Sequence, residues 1–224
     1  MKFYFKLFIY LLVFTCFSIA NAGSYDDFFT AVRRNDPATV SALIKRGFDV
    51  NTLGPEGETG LLVAVRASTI QVIDVLVRAP KIKVESRSAQ DESPLMLAAI
   101  NGLTEVCKQL ISLDADVNKP GWTPLHYAAT KGHLDIINLL LENHAYIDAE
   151  SPNGTTPLMM AAEYGTPQAV TLLLNAGADP LAKNLLGLMA LDFATRAERP
   201  DAVQLIKAFL KAMPDRHIPD VIIR

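Results

Sequence analysis

The chain has 224 residues, half of them hydrophobic, with 21 basic against 24 acidic side chains and a formal net charge of −3. A mildly acidic chain without a basic block disfavours generic nucleic-acid binding and attraction to an anionic membrane surface, since both need clustered Lys and Arg. Its two cysteines, Cys16 and Cys107, leave no room for a disulfide framework.

The first 22 residues differ in kind from the rest. Lys2 and Lys6 form a positive end, Leu7 to Ala20 is a largely apolar run without charge, and Ala20-Asn21-Ala22 supplies small residues for cleavage. This pattern predicts a secretory signal peptide over 1–22, cleaved after Ala22. The apolar run is shorter than the roughly 20 residues that a membrane span needs. Phe14 makes a poor lipobox before Cys16. The expected address is the periplasm or the exterior, with no membrane attachment after cleavage and Cys107 as the mature chain's one cysteine.

Beyond residue 22, two kinds of segment alternate. Asp36-Pro37-Ala38-Thr39-Val40-Ser41-Ala42-Leu43-Ile44 opens the series. Thr59-Gly60-Leu61-Leu62-Val63-Ala64-Val65 is followed by Ile70-Gln71-Val72-Ile73-Asp74-Val75-Leu76, and Ser93-Pro94-Leu95-Met96-Leu97-Ala98-Ala99 by Thr104-Glu105-Val106-Cys107-Lys108-Gln109-Leu110. Gly121-Trp122-Thr123-Pro124-Leu125-His126-Tyr127-Ala128-Ala129 returns 33 residues later as Gly154-Thr155-Thr156-Pro157-Leu158-Met159-Met160-Ala161-Ala162, and after 33 more as Gly187-Leu188-Met189-Ala190-Leu191. Leu134 to Leu141, Gln168 to Leu174 and Pro200 to Ile206 are the corresponding second segments.

Apolar residues three and four apart place one face of each second segment in a core. Thr123 and Thr156 suit N-caps, and Pro124 and Pro157 suit the first helical position, where no amide donor is needed. Gly102, Gly132 and Gly165, with Asn35 in the first copy, are expected in left-handed geometry at the turn between the helices. A fixed period of helix, turn, helix and extended stretch predicts a stacked array, because neither helix buries its apolar face alone.

The Thr-Pro-Leu-His, Ala-Ala, Gly-His and Ala-Asp-Val-Asn phrases, in this order, resemble the ankyrin repeat family. The resemblance implies an all-α repeat solenoid of helix-turn-helix units joined by β-hairpin-like loops. Residues 23–213 form the domain, with repeats at 25–56, 57–90, 91–120, 121–153, 154–186 and 187–213 and a tail at 214–224. The terminal repeats are degenerate, as water-facing caps should be. Three departures predict irregular joins: the 113–122 hairpin is three residues short, Gly60 replaces proline, and Ala190 and Glu198 replace proline and glycine.

No catalytic motif is present, so no catalytic residue, cofactor or metal is expected. His126 and His133 fall on family scaffold positions, and seven residues separate them, unlike a two-histidine metal site on one helix. His144 lies near a helix end, where positive charge suits the dipole. Asp49, Asp116, Asp148 and Asp179 recur at the turns, where such side chains accept local backbone hydrogen bonds. Cys107 aligns with Ile73, Ile137 and Val170, which predicts a buried thiol. Asn153-Gly154-Thr155 reads as a turn rather than a glycosylation site.

The resemblance implies partner contact through the hairpins and the exposed side of the first helices. The corresponding positions are Glu58, Arg66, Ile100, Asn101, Trp122, Thr130, Lys131, Thr155, Glu163 and Tyr164. Trp122, Tyr164 and Arg66 lead, because Trp, Tyr and Arg dominate interface hot spots. The expected function is an exported, monomeric, non-enzymatic module for a protein partner. An inhibitor or immunity protein against a toxin, or an accessory factor for an exported enzyme, falls within that class. An enzyme or small-ligand site hidden in an irregular repeat is the alternative, favoured by the 113–122 hairpin and Gly60.

Overall fold

Short helices set in pairs make up the protein. The computed structural model describes residues 23–213; the signal peptide with its cleavage point after Ala22, Cys16, His217 and the 214–224 tail lie outside the described residues. In chain order the helices are α1 (23–33), α2 (Pro37–Lys45), α3 (Gly60–Arg66), α4 (Ile70–Val77), α5 (Pro94–Ile100), α6 (Thr104–Ser112), α7 (Pro124–Lys131), α8 (Leu134–Glu142), α9 (Pro157–Tyr164), α10 (Pro167–Asn175), α11 (Ala190–Arg196) and α12 (Pro200–Ala212). Among the described residues there is no strand, only an isolated bridge between Leu53 and Thr59. The chain is all-α, as its period predicts.

Two compact bodies are distinguished, one ending at Pro94 and one beginning at Leu95. In the first, α4 packs on α2 and α3. In the second, α7 packs on α9 and α9 on α11, while α6, α8, α10 and α12 pack in sequence beside them. Helices of seven to nine residues do not persist alone. Their stability comes from buried faces: Val72, Ile73 and Leu76 in α4, Ile136, Ile137 and Leu140 in α8, Val170 and Leu173 in α10, all fully buried. Each such large apolar side chain contributes about 1.5–3 kcal/mol. Cys107 occupies the predicted core position of α6 and is fully buried, which pushes its thiol up to about 12.

The caps explain how one pattern tolerates different residues. His126 closes the N-terminus of α7 by accepting the Thr123 N–H on Nδ1 at 3.2 Å. Met159 takes the Thr156 N–H on its sulfur at 3.4 Å in α9, and Asp192 the Met189 N–H at 2.8 Å in α11. Proline is missing at Gly60 for a steric reason. A Cβ there would lie 2.6 Å from the Phe28 ring, which stacks on Phe48 with centroids 4.5 Å apart.

The turn between paired helices is left-handed at Asn35 (φ 53°), Ser68 (φ 54°), Gly102 (φ 71°), Gly132 (φ 70°) and Glu198 (φ 54°). Gly165 departs from the expectation, with φ −75° and ψ −159°. Pro167 restricts the preceding Thr166 to extended geometry, and Thr166 caps α10 through its Oγ1. The chain therefore takes another path, and Arg199 Nη1 donates to the carbonyl of the buried Gly165 at 2.5 Å. His144 lies near the end of α8, just past its C-cap Asn143, and is left-handed at φ 64°.

Asn51 and Asn118 each bridge to the next repeat. Asn51 accepts the Lys83 N–H at 2.9 Å and donates to the Lys81 carbonyl at 2.9 Å; Asn118 does the same with Tyr146 and His144 at 2.8 Å. Asp148 belongs to this series and not with the other turn aspartates. It accepts the Asp179 N–H at 3.0 Å from the following repeat, whereas Asp49, Asp116 and Asp179 accept from residues two further on.

Candidate protein-binding face

Four loops between repeats close into the same tip. Gly54 donates to the Glu58 carbonyl at 2.8 Å, and Ser88 to Glu92, Ser151 to Thr155 and Asn184 to Leu188 each at 3.0 Å. The shorter loop over 113–122 instead turns at Gly121, with φ 82°, and buries Lys119. These tips, with the ends of the first helices, position the ten predicted residues.

In the first body, two of those residues hold each other. Glu58 is 7% exposed, and its carboxylate takes Arg66 Nη2 at 2.5 Å. Arg66 Nη1 reaches Glu92 at 3.1 Å, and Glu92 also accepts from Ser88 Oγ at 3.2 Å. Glu58 is thus turned inward rather than presented, and Arg66 is its counter-ion as well as a surface group. Beside the pair is a cleft of about 320 Å³ lined by Phe29, Pro55, Val63 and Ala67, with Arg33 and Glu56 also on its wall.

In the second body, Thr155 is likewise turned inward at 2% exposure. Its N–H donates to Ser151 Oγ at 3.0 Å and its carbonyl accepts from His126 Nε2 at 2.8 Å. With Nδ1 accepting from Thr123, this fixes His126 as the neutral tautomer protonated on Nε2. Burial lowers its pKa to about 4. Trp122 is half-buried and lies edge-on to that imidazole, centroids 5.2 Å apart. Ile100 and Thr130 are half-buried; the Ile100 carbonyl accepts from His133 Nε2 at 3.2 Å, and Thr130 Oγ1 donates to the His126 carbonyl at 2.7 Å.

Asn101, Lys131 and Tyr164 are exposed, Tyr164 at 60%, and Glu163 is half-buried beside it. The Glu163 carboxylate raises the Tyr164 phenol above its usual range. Two strongly exposed residues were not singled out by the spacing: Leu185 at 78% and Leu186 at 76%, on the last tip. They stand where the other tips carry Pro55-Glu56, Ala89-Gln90 and Pro152-Asn153, so the signal lay in comparing tips rather than the positions nearest the Thr-Pro pair.

Among the described residues no three His, Cys, Asp or Glu side chains gather as for a metal ion, and no helix is long and apolar enough to cross a membrane. A family model for ankyrin repeats in three copies matches residues 28–120, 81–151 and 143–212. The chain belongs to the ankyrin repeat family. Ankyrin repeats mediate protein–protein interaction, and the family's members are generally non-enzymatic interaction modules.

The nuclear factor NF-kappa-B p105 subunit of Mus musculus is 29% identical over 65% of this chain, which spans only 16% of that protein. Among solved structures, a chain in the complex of a predatory endopeptidase from Bdellovibrio bacteriovorus with an immunity protein superposes with a TM-score of 0.72 at 27% identity, over 81% of this chain and 97% of that one. An ankyrin repeat domain from Acinetobacter baumannii superposes at 0.71 with 24% identity, over 81% of this chain and 96% of that one, a likeness of fold alone.

Proposed function

We propose that this ankyrin repeat protein is exported and acts as a monomer without catalysis. It holds a protein partner on its tips and first-helix ends, and that partner is an exported hydrolase which it restrains as an inhibitor or immunity protein. The likeness to a chain of the endopeptidase–immunity complex carries this reading, because it extends over 97% of that chain rather than over a fragment of a large protein. The Lys2–Lys6, apolar and Ala20-Asn21-Ala22 sequence supports export.

Two measurements test it. Protein recovered from outside the cytoplasm is expected to begin at Gly23; recovery beginning at Met1 would remove the export claim. Purified residues 23–224, titrated into the exported peptidases of the cell that makes it, are expected to silence one of them at one-to-one stoichiometry. If no peptidase loses activity or forms a complex by size exclusion, the inhibitor reading is wrong.

A further inference from the structure

No basic block stands in the sequence, yet the fold gathers one in the first body. The turns that follow α2 and α4, over 45–51 and 78–84, carry Lys45, Arg46, Arg78, Lys81 and Lys83 against the single carboxylate of Asp49. Glu85, next along, is taken by Arg87 at 2.7 Å. The matching turns of the second body, over 112–118, 142–148 and 175–181, reverse the sign. They carry Asp114, Asp116, Glu142, Asp148 and Asp179 and neither Lys nor Arg. All five basic side chains of the first body's turns are exposed, and none joins an ion pair among the described residues, whereas Arg66 and Arg87 of the same body are both paired.

The two lysines are also held in register. Asn51 accepts the Lys83 N–H and donates to the Lys81 carbonyl, each at 2.9 Å, which fixes the second turn against the first. That clamp bonds main-chain atoms of the next repeat; at Asn118 it holds His144 and Tyr146 instead. Lys81 is left-handed at φ 62°, a position that Gly47 and Gly177 fill without a Cβ to strain. The fold therefore has no need of lysine at either place. Between the turns is a cleft of about 510 Å³, lined by Ile44, Phe48 and Pro80 with Lys81, Lys83 and Asp49 on its wall. Asp49 is engaged in its own turn, where Oδ1 accepts the Asn51 N–H at 3.0 Å.

We propose that this cleft binds a compact ligand bearing two phosphoryl groups, at a site apart from the protein-binding tips and independent of that reading. A phosphoryl group carries about −1.5 to −2 charges at neutral pH. Two of them match the formal excess of four positive charges in these turns, whereas one carboxylate would leave most of it unmatched. Lysine ammonium groups take phosphate as point charges, with little demand on its orientation. The apolar lining strengthens their attraction, because a cleft of one sign with low-dielectric walls focuses the field. The volume falls in the range of small-ligand sites.

Calorimetric titration of the purified chain with sodium pyrophosphate tests it. Saturable one-to-one binding is expected. Lys81→Gln/Lys83→Gln should weaken it about tenfold, the loss of two exposed ion pairs, with thermal unfolding as the folding control. Lys81→Arg/Lys83→Arg, and Lys183→Gln/Lys211→Gln in the second body, should stay within about threefold of the parent. Raising salt from about 0.01 M to about 0.15 M, which shortens the screening length from roughly 30 to 8 Å, should weaken binding severalfold. Cosedimentation with phosphatidylcholine vesicles containing phosphatidic acid, lost in Lys81→Gln/Lys83→Gln, supports the site with lipid head groups as the source. Pyrophosphate binding without cosedimentation supports it with a free diphosphate as the source. Absence of both overturns it, as does an equal loss in Lys183→Gln/Lys211→Gln. If Lys81→Gln/Lys83→Gln leaves pyrophosphate binding unchanged and instead weakens a peptidase complex, the turns are a protein contact and the phosphate site is wrong. Pyrophosphate binding in a chain that silences no peptidase counts against the inhibitor reading alone.

Discussion

The two bodies use equivalent positions in opposite ways. In the first, the residue at the end of α3 is Arg66, and it neutralises the buried Glu58 and reaches Glu92. In the second, the residue of α9 that aligns with Arg66 is Glu163, half-buried and beside Tyr164, whose phenol it holds above its usual range. There the joining work falls to His126, inside the core, through the Thr155 carbonyl. The lesson is that a repeat position is available to a partner only when another group has met the local need for hydrogen bonds and charge. At its tips the first body spends its surface charge on itself; the second ties its tips by backbone hydrogen bonds and leaves Leu185 and Leu186 exposed on the last of them.

The contrast breaks most readily at Arg66. Arg66→Ala leaves Glu58 buried without its cation. Discounted for the 43% exposure of the arginine side chain, the expected loss is about 2 kcal/mol, read by denaturant unfolding. Glu163→Ala is expected to stay within about 0.5 kcal/mol. Equal losses at both positions would erase the distinction between the bodies.

His126→Met sharpens the other half. Methionine already does this work in α9, but it cannot donate to the Thr155 carbonyl, so a loss of about 1–1.5 kcal/mol is expected at neutral pH. The parent should also weaken in acid. Because folding lowers the pKa of His126 from its ordinary 6.5 to about 4, the native state resists a proton that the unfolded chain accepts. Stability is full above 6.5 and falls as pH drops toward 4. His126→Met should flatten that window; an unchanged slope in the variant would show that other groups cause it.

Asp148 gives a smaller effect of opposite sign. An asparagine there would keep the acceptor for the Asp179 N–H and add a donor, as Asn51 and Asn118 have. Burial holds the Asp148 carboxyl above its usual range, aided by the charge of Asp179. The parent therefore loses stability as pH rises through the ordinary carboxylate value, and Asp148→Asn should remove that decline. A gain of about 1 kcal/mol at neutral pH is expected, read as a shift in unfolding midpoint.

Much of this was legible in the sequence because it is local. The period, the Thr-Pro starts, the left-handed Asn35 and the buried Cys107 each depend on residues within one repeat or on its spacing. The partnership of Glu58, Arg66 and Glu92 was not, since it joins residues from two loops and a helix end, and spacing marked Arg66 only as exposed. Gly165 departs from the repeat because the following Thr166 is held extended by Pro167 and caps α10, a feature of this repeat that the period does not carry. Asp148 was grouped by residue type when its register placed it with the asparagines. Leu185-Leu186 was readable but required aligning the tips.

The smallest expected stability effect is the most diagnostic. Leu185→Ser/Leu186→Ser touches side chains more than three-quarters exposed, at a turn whose hydrogen bonds come from Asn184 and Gly187. Nothing in the packing of the second body depends on them, so the change should lie within about 0.5 kcal/mol, read by thermal unfolding. A loss above about 1.5 kcal/mol would mean that the leucines are covered by the protein itself, and the second body would then consume its surface as the first does. A null result keeps the two bodies distinct. It leaves an exposed apolar pair that the fold does not use, which is the condition a surface must meet before recognition can be assigned to it.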